Sequence, residues 1–308
     1  MSERATVTVL GLGALGASLA LALKQSGRFA QVVAWDADFD VSRRAQRAAV
    51  ADRFVASAPE SVRQAAAVFL AVSHDTLRDA LVATGPHLSP GTVVCAVDES
   101  QERASVLAAE VLPASVSFVA ADPVLLVRPA AGAPPAATIF RGGVLCLAPS
   151  LSAHPDAVAY LTALAETLEM EPFFVDAREH DAFASGIVRL PSVLAAAYVR
   201  VTGRASSWRE LGRIAGGEYH QIGALTDLDA DAGQAALAAT REPLVRWLDE
   251  MIAELTALRD GLQDGQEPAG FYASAGETWR AWLVSRRQPP ELADLPKPPP
   301  PPKRRFPF

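Results

Sequence analysis

The chain has 308 residues, half of them hydrophobic and a fifth charged, with a formal net charge of −7. That length exceeds what one core usually supports and predicts two domains, and the acidic balance excludes a general nucleic-acid binder. The first strand begins almost at once, and no run approaches an uninterrupted apolar membrane span, so a cytoplasmic protein without a membrane partner is expected.

The chain opens on an apolar, β-branched run, residues 5–10, that ends in Gly11-Leu12-Gly13-Ala14-Leu15-Gly16 and continues into an Ala/Leu-rich helical stretch. A second apolar strand, Gln31–Trp35, closes on Asp36. Strand, glycine turn, helix, strand and acid in that order define a dinucleotide site. Gly11 permits the tight turn, Gly13 lets backbone approach a pyrophosphate, and Gly16 lets helix and strand pack closely. The amides at Leu12, Ala14 and Leu15 face the phosphates at a helix N-terminus. Asp36 would accept hydrogen bonds from the adenosine ribose and repel a 2′-phosphate, which selects NAD over NADP. The cofactor-binding set is completed by Val72 and Ser73 at the end of the next apolar strand.

Further apolar runs at Ala67–Val72, Thr92–Val97, Val116–Ala120, Val144–Leu147 and Phe173–Val175 predict buried strands of a largely parallel sheet. Helices are expected between them at Thr76–Thr84, Gln101–Val111 and Pro155–Leu168, and an irregular loop at Arg128–Pro135. This alternation predicts a doubly wound (Rossmann) domain over 1–176. From Glu179 only helical periodicity remains, which predicts an all-α domain over 177–287. Pro191 should interrupt its first helix; a second should run from about Asp231 to Gln263 and a third over Pro268–Arg286. The apolar faces of these helices predict homodimerisation through this domain. The last segment, 288–308, has nine prolines in its final twenty residues and is expected to be a disordered arm, either a docking peptide or a solvated tail.

Cys95 and Cys146 lie in separate predicted strands, so they are expected as small core residues rather than as a disulfide or metal ligands. Lysine occurs only at 24, 297 and 303. Groups just after the strands are the candidates for chemistry: Ser73, His74 and Asp75, then Asp98, Glu99 and Ser100, then Asp122-Pro123. The helical region adds Glu179, His180, Asp181, Arg189 and Arg213. His74 is either a base or a helix cap, His180-Asp181 a cap and hinge, and Arg213 either a carboxylate clamp or an ordinary surface residue. His87, His154 and His220 offer no catalytic context.

These residues together resemble the prephenate/arogenate dehydrogenase family. The resemblance spans most of residues 5–287. It rests on the glycine turn and its continuation through Ala20, on Ile139-Phe140-Arg141-Gly142-Gly143, on His180-Asp181 with Leu190-Pro191, on Arg213-Ile214-Ala215, and on Phe271, Ala275 and Trp279-Arg280. It implies an NAD(P)-dependent oxidoreductase that oxidises a small carboxylate-bearing substrate, with loss of carbon dioxide, in tyrosine biosynthesis. Where the family carries a histidine that hydrogen-bonds the reacting hydroxyl, this chain has Asp122. Val188-Arg189 and Ser192 stand where the family has further histidines, and the family's lysine after the fifth strand is missing. The resemblance therefore makes Asp122 the candidate proton acceptor, with His180, Arg189 and Arg213 as the remaining candidate catalytic residues. The alternative is a catalytically silent homologue that binds a dinucleotide as a sensor or partner protein. A hydroxyacid dehydrogenase or ketopantoate-reductase type enzyme would need a cleft lysine that this chain does not offer.

Overall fold

The computed structural model describes residues 5–97, 100–127, 129, 133–226, 233–234, 237–238, 240–266 and 270–287. The proline-rich arm, Asp98, Glu99 and the expected helix start at Asp231 lie outside them. Close packing divides the chain after Leu244 into two units.

The first unit is built on an eight-stranded sheet. Its strands are β1 (Thr6–Leu10), β2 (Gln31–Trp35), β3 (Arg53–Phe54), β4 (Ala65–Leu70), β5 (Val93–Val97), β6 (Ser117–Val124), β7 (Val144–Pro149) and β8 (Glu171–Phe174). They lie in the order β3-β2-β1-β4-β5-β6-β7-β8. Every pair is parallel except β6 with β7. The central strands read as apolar runs because both faces are covered. Along β4, Ala67 and Phe69 enter the core on one side, and Val68 and Leu70 the core on the other. The first core is closed by Leu19 and Leu23 of α1 (Ala14–Gln25) and by Leu161 and Leu164 of α6 (Pro155–Thr167). The second is closed by Val62 of α3 (Ala58–Val62), Leu77 and Leu81 of α4 (Leu77–Thr84), and Leu107 of α5 (Gln101–Val111). Each such side chain contributes about 1.5–3 kcal/mol when fully buried. One further short helix, α2 (Phe39–Arg47), follows β2, capped by Asp38, whose carboxylate accepts from the amides of Asp40 and Val41.

The strand edges differ from the pattern expected from sequence. β3 is only two residues long, too short to show alternation. β6 continues through Asp122 and Pro123 rather than ending before them. Pairing with β5 stops at Ala121, so beyond it only β7 lies beside β6, and a residue without an N–H is tolerated there. β8 begins at Glu171, two residues ahead of the expected run.

Helices then follow: α7 (Ala177–Ala184), a π-helical turn at Ser185–Arg189, α8 (Leu190–Gly203), α9 (Trp208–Ile214) and α10 (Gly217–Ala224). Pro191 occupies the first turn of α8, where its missing N–H costs least. The wide turn before it absorbs the interruption without breaking the helical path. Ala177–Gly203 is also the one run among the described residues long and apolar enough to cross a bilayer. Its first part packs on α5. The second unit comprises most of α11 (Arg241–Gln263) and α12 (Phe271–Arg287). Its Trp279 and Trp282 rings stack with centroids 4.9 Å apart.

Candidate functional site

The strand order reverses its direction of winding between β1 and β4, which is where open α/β sheets bind ligands. Gly11 leaves β1 with φ +88°, and a Cβ there would stand 2.3 Å from the carbonyl oxygen of Ala71. A Cβ on Gly16 would fall 2.0 Å from the Gly11 carbonyl oxygen. Both positions therefore exclude any side chain, the first through its conformation and both through space. Gly13 is different: nothing lies within 4 Å of a Cβ built on it. Its missing side chain leaves open an exposed approach to the α1 N-terminus, as a bound diphosphate requires. Leu12 and Leu15 turn their side chains into the core, so only their backbone serves this approach. Val72 and Ser73 follow Ala71 along the rim of the turn, with Ser73 exposed.

Asp36 stands at the tip of β2. One carboxylate oxygen accepts from the Leu12 amide at 2.6 Å and the other from the Asp38 amide at 2.7 Å. Each oxygen keeps a second acceptor site for a ribose hydroxyl. These bonds tie the acid to the glycine turn before any ligand arrives. Lys24 sits elsewhere. Its ammonium donates to the Ala49 and Ala51 carbonyls at 3.0 and 3.1 Å and pairs with Asp52, which fixes it as a packing residue of the α1–α2 layer.

A second group of polar residues gathers where β6, α5 and α7 meet. Asp122 and His180 are both buried, and their Oδ2 and Nε2 atoms lie 3.3 Å apart. The other ring nitrogen of His180, Nδ1, lies 3.2 Å from Oδ1 of Asp181. Burial alone would push the His180 pKa down, but its hydrogen bonds with Asp122, Asp181 and Cys146 outweigh that. Together with the charge of Asp122, they raise it to about 11 from an ordinary 6.5. His180 is therefore an imidazolium at neutral pH, held between two carboxylates. The same Oδ1 of Asp181 accepts from the Gln101 amide at 2.8 Å, and Oδ2 from the Glu102 amide at 3.1 Å. Gln101, fully buried, donates from Nε2 to the Cys146 carbonyl at 3.3 Å, while its Oε1 has no hydrogen-bond partner among the described residues. Ser100 is the buried cap residue at the head of α5.

Asp122 and His180 are thus brought together, and Asp181 caps a helix, though it is α5 rather than its own. Arg189 is half-buried at the end of the π-helical turn. Arg213 is exposed on α9, and no hydrogen bond joins it to Asp122 or His180 among the described residues. His74 receives a hydrogen bond from the Arg103 guanidinium at Nε2. A guanidinium only donates, so that nitrogen carries no proton and is occupied rather than free to act as a base. Gln101 is the member of the cluster that motif reasoning did not single out. Its position at the start of a helix carried no signal for a side chain reaching β7. Cys95 and Cys146 are free and buried, and burial pushes the Cys95 thiol up to about 12.

An open glycine turn at the sheet's switch point, an acid tied to it, and a buried charged cluster two strands away define a nucleotide-binding α/β protein of the oxidoreductase type. Residues 19–171 match the family model described as the nucleotide-binding domain of prephenate dehydrogenase. The prephenate dehydrogenase of Bacillus subtilis (strain 168) is 24% identical over 293 residues, covering 92% of this chain and 77% of that protein. In three dimensions the chain is similar to the A. aeolicus prephenate dehydrogenase solved with hydroxyphenyl propionate and NAD+, with a TM-score of 0.81 and 16% identity. That match covers 91% of this chain and 98% of the other. A Synechocystis arogenate dehydrogenase gives a TM-score of 0.71 at 19% identity, covering 92% and 98%. The chain belongs to the prephenate dehydrogenase family.

Proposed function

We propose that this protein is an NAD-dependent dehydrogenase of the prephenate dehydrogenase type, acting on a small carboxylate-bearing substrate related to prephenate or arogenate. The observation that carries this reading is the Asp122–His180 pair, 3.3 Å apart and buried near the end of β6. There an aspartate stands where the family presents its hydroxyl-binding histidine. NAD, when bound, supplies the hydride acceptor. Gly11, Gly13 and Gly16 shape its seat, Leu12, Ala14 and Leu15 offer backbone, Val72 and Ser73 form the rim, and Asp36 holds the ribose while disfavouring a 2′-phosphate. Asp122, paired with the His180 cation, accepts the proton of the substrate hydroxyl as that carbon is oxidised. Arg189 and Arg213 supply cations suited to substrate carboxylates, Arg189 from the turn just beyond His180. The exposed apolar side chains of α8 to α12, among them Val201, Ile214, Ile252 and Trp279, fit helices that a second copy covers. The two free thiols fit a reducing compartment, the cytoplasm in this reading.

One observation favours the second reading, a silent dinucleotide-binding homologue: Asp122 and His180 neutralise one another, so neither is a free base. Purified protein mixed with NAD and either prephenate or arogenate decides between the two. NADH formation is expected. Nucleotide binding by calorimetry with no turnover of either substrate would establish the silent form, and no nucleotide binding would remove both.

A further inference from the structure

The Asp181 carboxylate is engaged at both of its oxygens. Its Oδ1 accepts from the His180 Nδ1 side at 3.2 Å and from the Gln101 amide at 2.8 Å, and its Oδ2 accepts from the Glu102 amide at 3.1 Å. Its own helix does not need it there, because Asp176 caps α7 by accepting from the Arg178 and Glu179 amides. Helix α5 does need it. Ser100 at its head makes no side-chain cap bond, so an acceptor from another part of the chain satisfies its first amides. The α5 N-terminus also carries the positive end of the helix dipole, which favours a carboxylate at that place. The carboxylate is thus anchored on one side by a rigid helix end and presents its remaining acceptor site to an imidazole ring.

The ring has two nitrogens, and what binds one decides what the other can do. We propose that Asp181 is a positioning residue for the reaction: anchored on the first turn of α5, it holds the His180 Nδ1 proton and so aims the Nε2 proton at Asp122. Asp122 is then held in orientation by a ring contacted at both of its nitrogens. The kinetic side of this proposal rests on the dehydrogenase reading above; the placement of the ring's protons does not. Asp122, Asp181 and the Cys146 side chain are the groups that face the ring.

The decisive variant is Asp181→Asn, compared with Ser185→Ala. The latter removes the Ser185 hydroxyl bond to the Asp181 carbonyl, 2.7 Å long, and leaves the carboxylate alone. Nitrogen-15 NMR of the His180 ring, assigned with His180→Gln, follows its titration. Asp181→Asn should lower the His180 midpoint by at least about one unit, the shift that one opposite charge at contact typically produces. Ser185→Ala should leave it in place. In turnover, Asp181→Asn should lower kcat by roughly tenfold or more with NAD affinity unchanged, a part of the 10²–10⁴-fold that positioned proton transfer contributes. An unchanged His180 titration in Asp181→Asn overturns the proposal, whether or not the protein turns over substrate. Should that variant not fold, the wild-type spectrum decides. A His180 Nδ1 proton retained at pH 8 and slow to exchange is required, and a bare Nδ1 at that pH overturns it. A wild-type protein that meets the NMR test and yields no NADH would remove the dehydrogenase reading and leave Asp181 as the anchor of a static ion pair.

Discussion

The sheet of the first unit and the helices after Leu190 are built on opposite terms. Strands β1, β4, β5 and β6 are almost wholly buried, with Val7, Val9, Ala96, Val119 and Ala120 at 0% exposure. Helices α8 to α10 expose Val201 at 73% and Ile214 at 81%, and no residue of α9 or α10 is buried. The sheet closes its two cores with its own helices. The later helices leave large apolar groups in solvent, the surface that the proposed second copy would cover. His180 joins the two halves of the first unit: it sits on the first helix after the sheet and bonds to Asp122 of β6. What the contrast teaches is a division of labour. The sheet supplies the proposed nucleotide seat, α7 brings one charged side chain to β6, and the helices after Leu190 supply exposed surface.

The strongest way to break this contrast is His180→Ala. Removing the cation leaves buried Asp122 and half-buried Asp181 without their shared partner, and a loss of about 3–5 kcal/mol is expected for a buried pair broken on one side. Urea unfolding measures it; a change under about 1 kcal/mol would show that the seam does not depend on the ion pair. Gly11→Ala comes next. With φ +88° and a Cβ 2.3 Å from the Ala71 carbonyl oxygen, it should cost more than about 2 kcal/mol and lose nucleotide binding as well. Wild-type nucleotide affinity in that variant would place the diphosphate elsewhere.

Two milder tests sharpen the comparison. The His180 proton is bound more tightly in the folded chain (about 11) than at its ordinary 6.5. Between those values the folded state holds more protons than the unfolded one. The stabilisation is therefore complete below pH 6.5 and is lost as pH rises toward 11. The fall should reach at most about 1.4 kcal/mol per pH unit and be absent in His180→Gln, as denaturant curves taken at several pH values would show. Gly13→Ala has open space around it, so it should leave stability within about 1 kcal/mol yet weaken NAD binding at least about tenfold, read by calorimetry. The smallest effect belongs to the helices. Val201→Glu should change monomer stability by about 0.5 kcal/mol or less and shift sedimentation toward the monomer. A compact monomer already present in the unmodified protein at micromolar concentration would remove the second copy from the proposal.

The proposed nucleotide seat was legible because each of its requirements is local. Gly11, Gly13, Gly16 and Asp36 lie within one strand–helix–strand unit, and their spacing alone implies the turn. Asp122 and His180 were each visible as residues in suggestive places, but nothing in a one-dimensional pattern joins them. Their contact depends on β6 running on past Ala121 and on α7 folding back against α5. Pro123 argued for the end of a strand, and only the missing neighbour on the β5 side explains why the strand continues. Asp181 read as a cap by its residue type, while the helix it caps was decided by tertiary packing. Gln101 gave no sign at all, since a glutamine opening a helix is ordinary until its side chain is seen inside the core.

The bond from Asp181 to the head of α5 spans 80 residues of sequence, and that has a consequence for how the chain is made. When α5 leaves the ribosome, the carboxylate that will cover its first amides has not yet been synthesised. The nascent sheet must wait several seconds at ordinary elongation rates before its fifth helix is finished. A fragment ending near residue 176 would never receive that carboxylate, so it should be marginal by itself and gain stability when a peptide carrying α7 is supplied in trans.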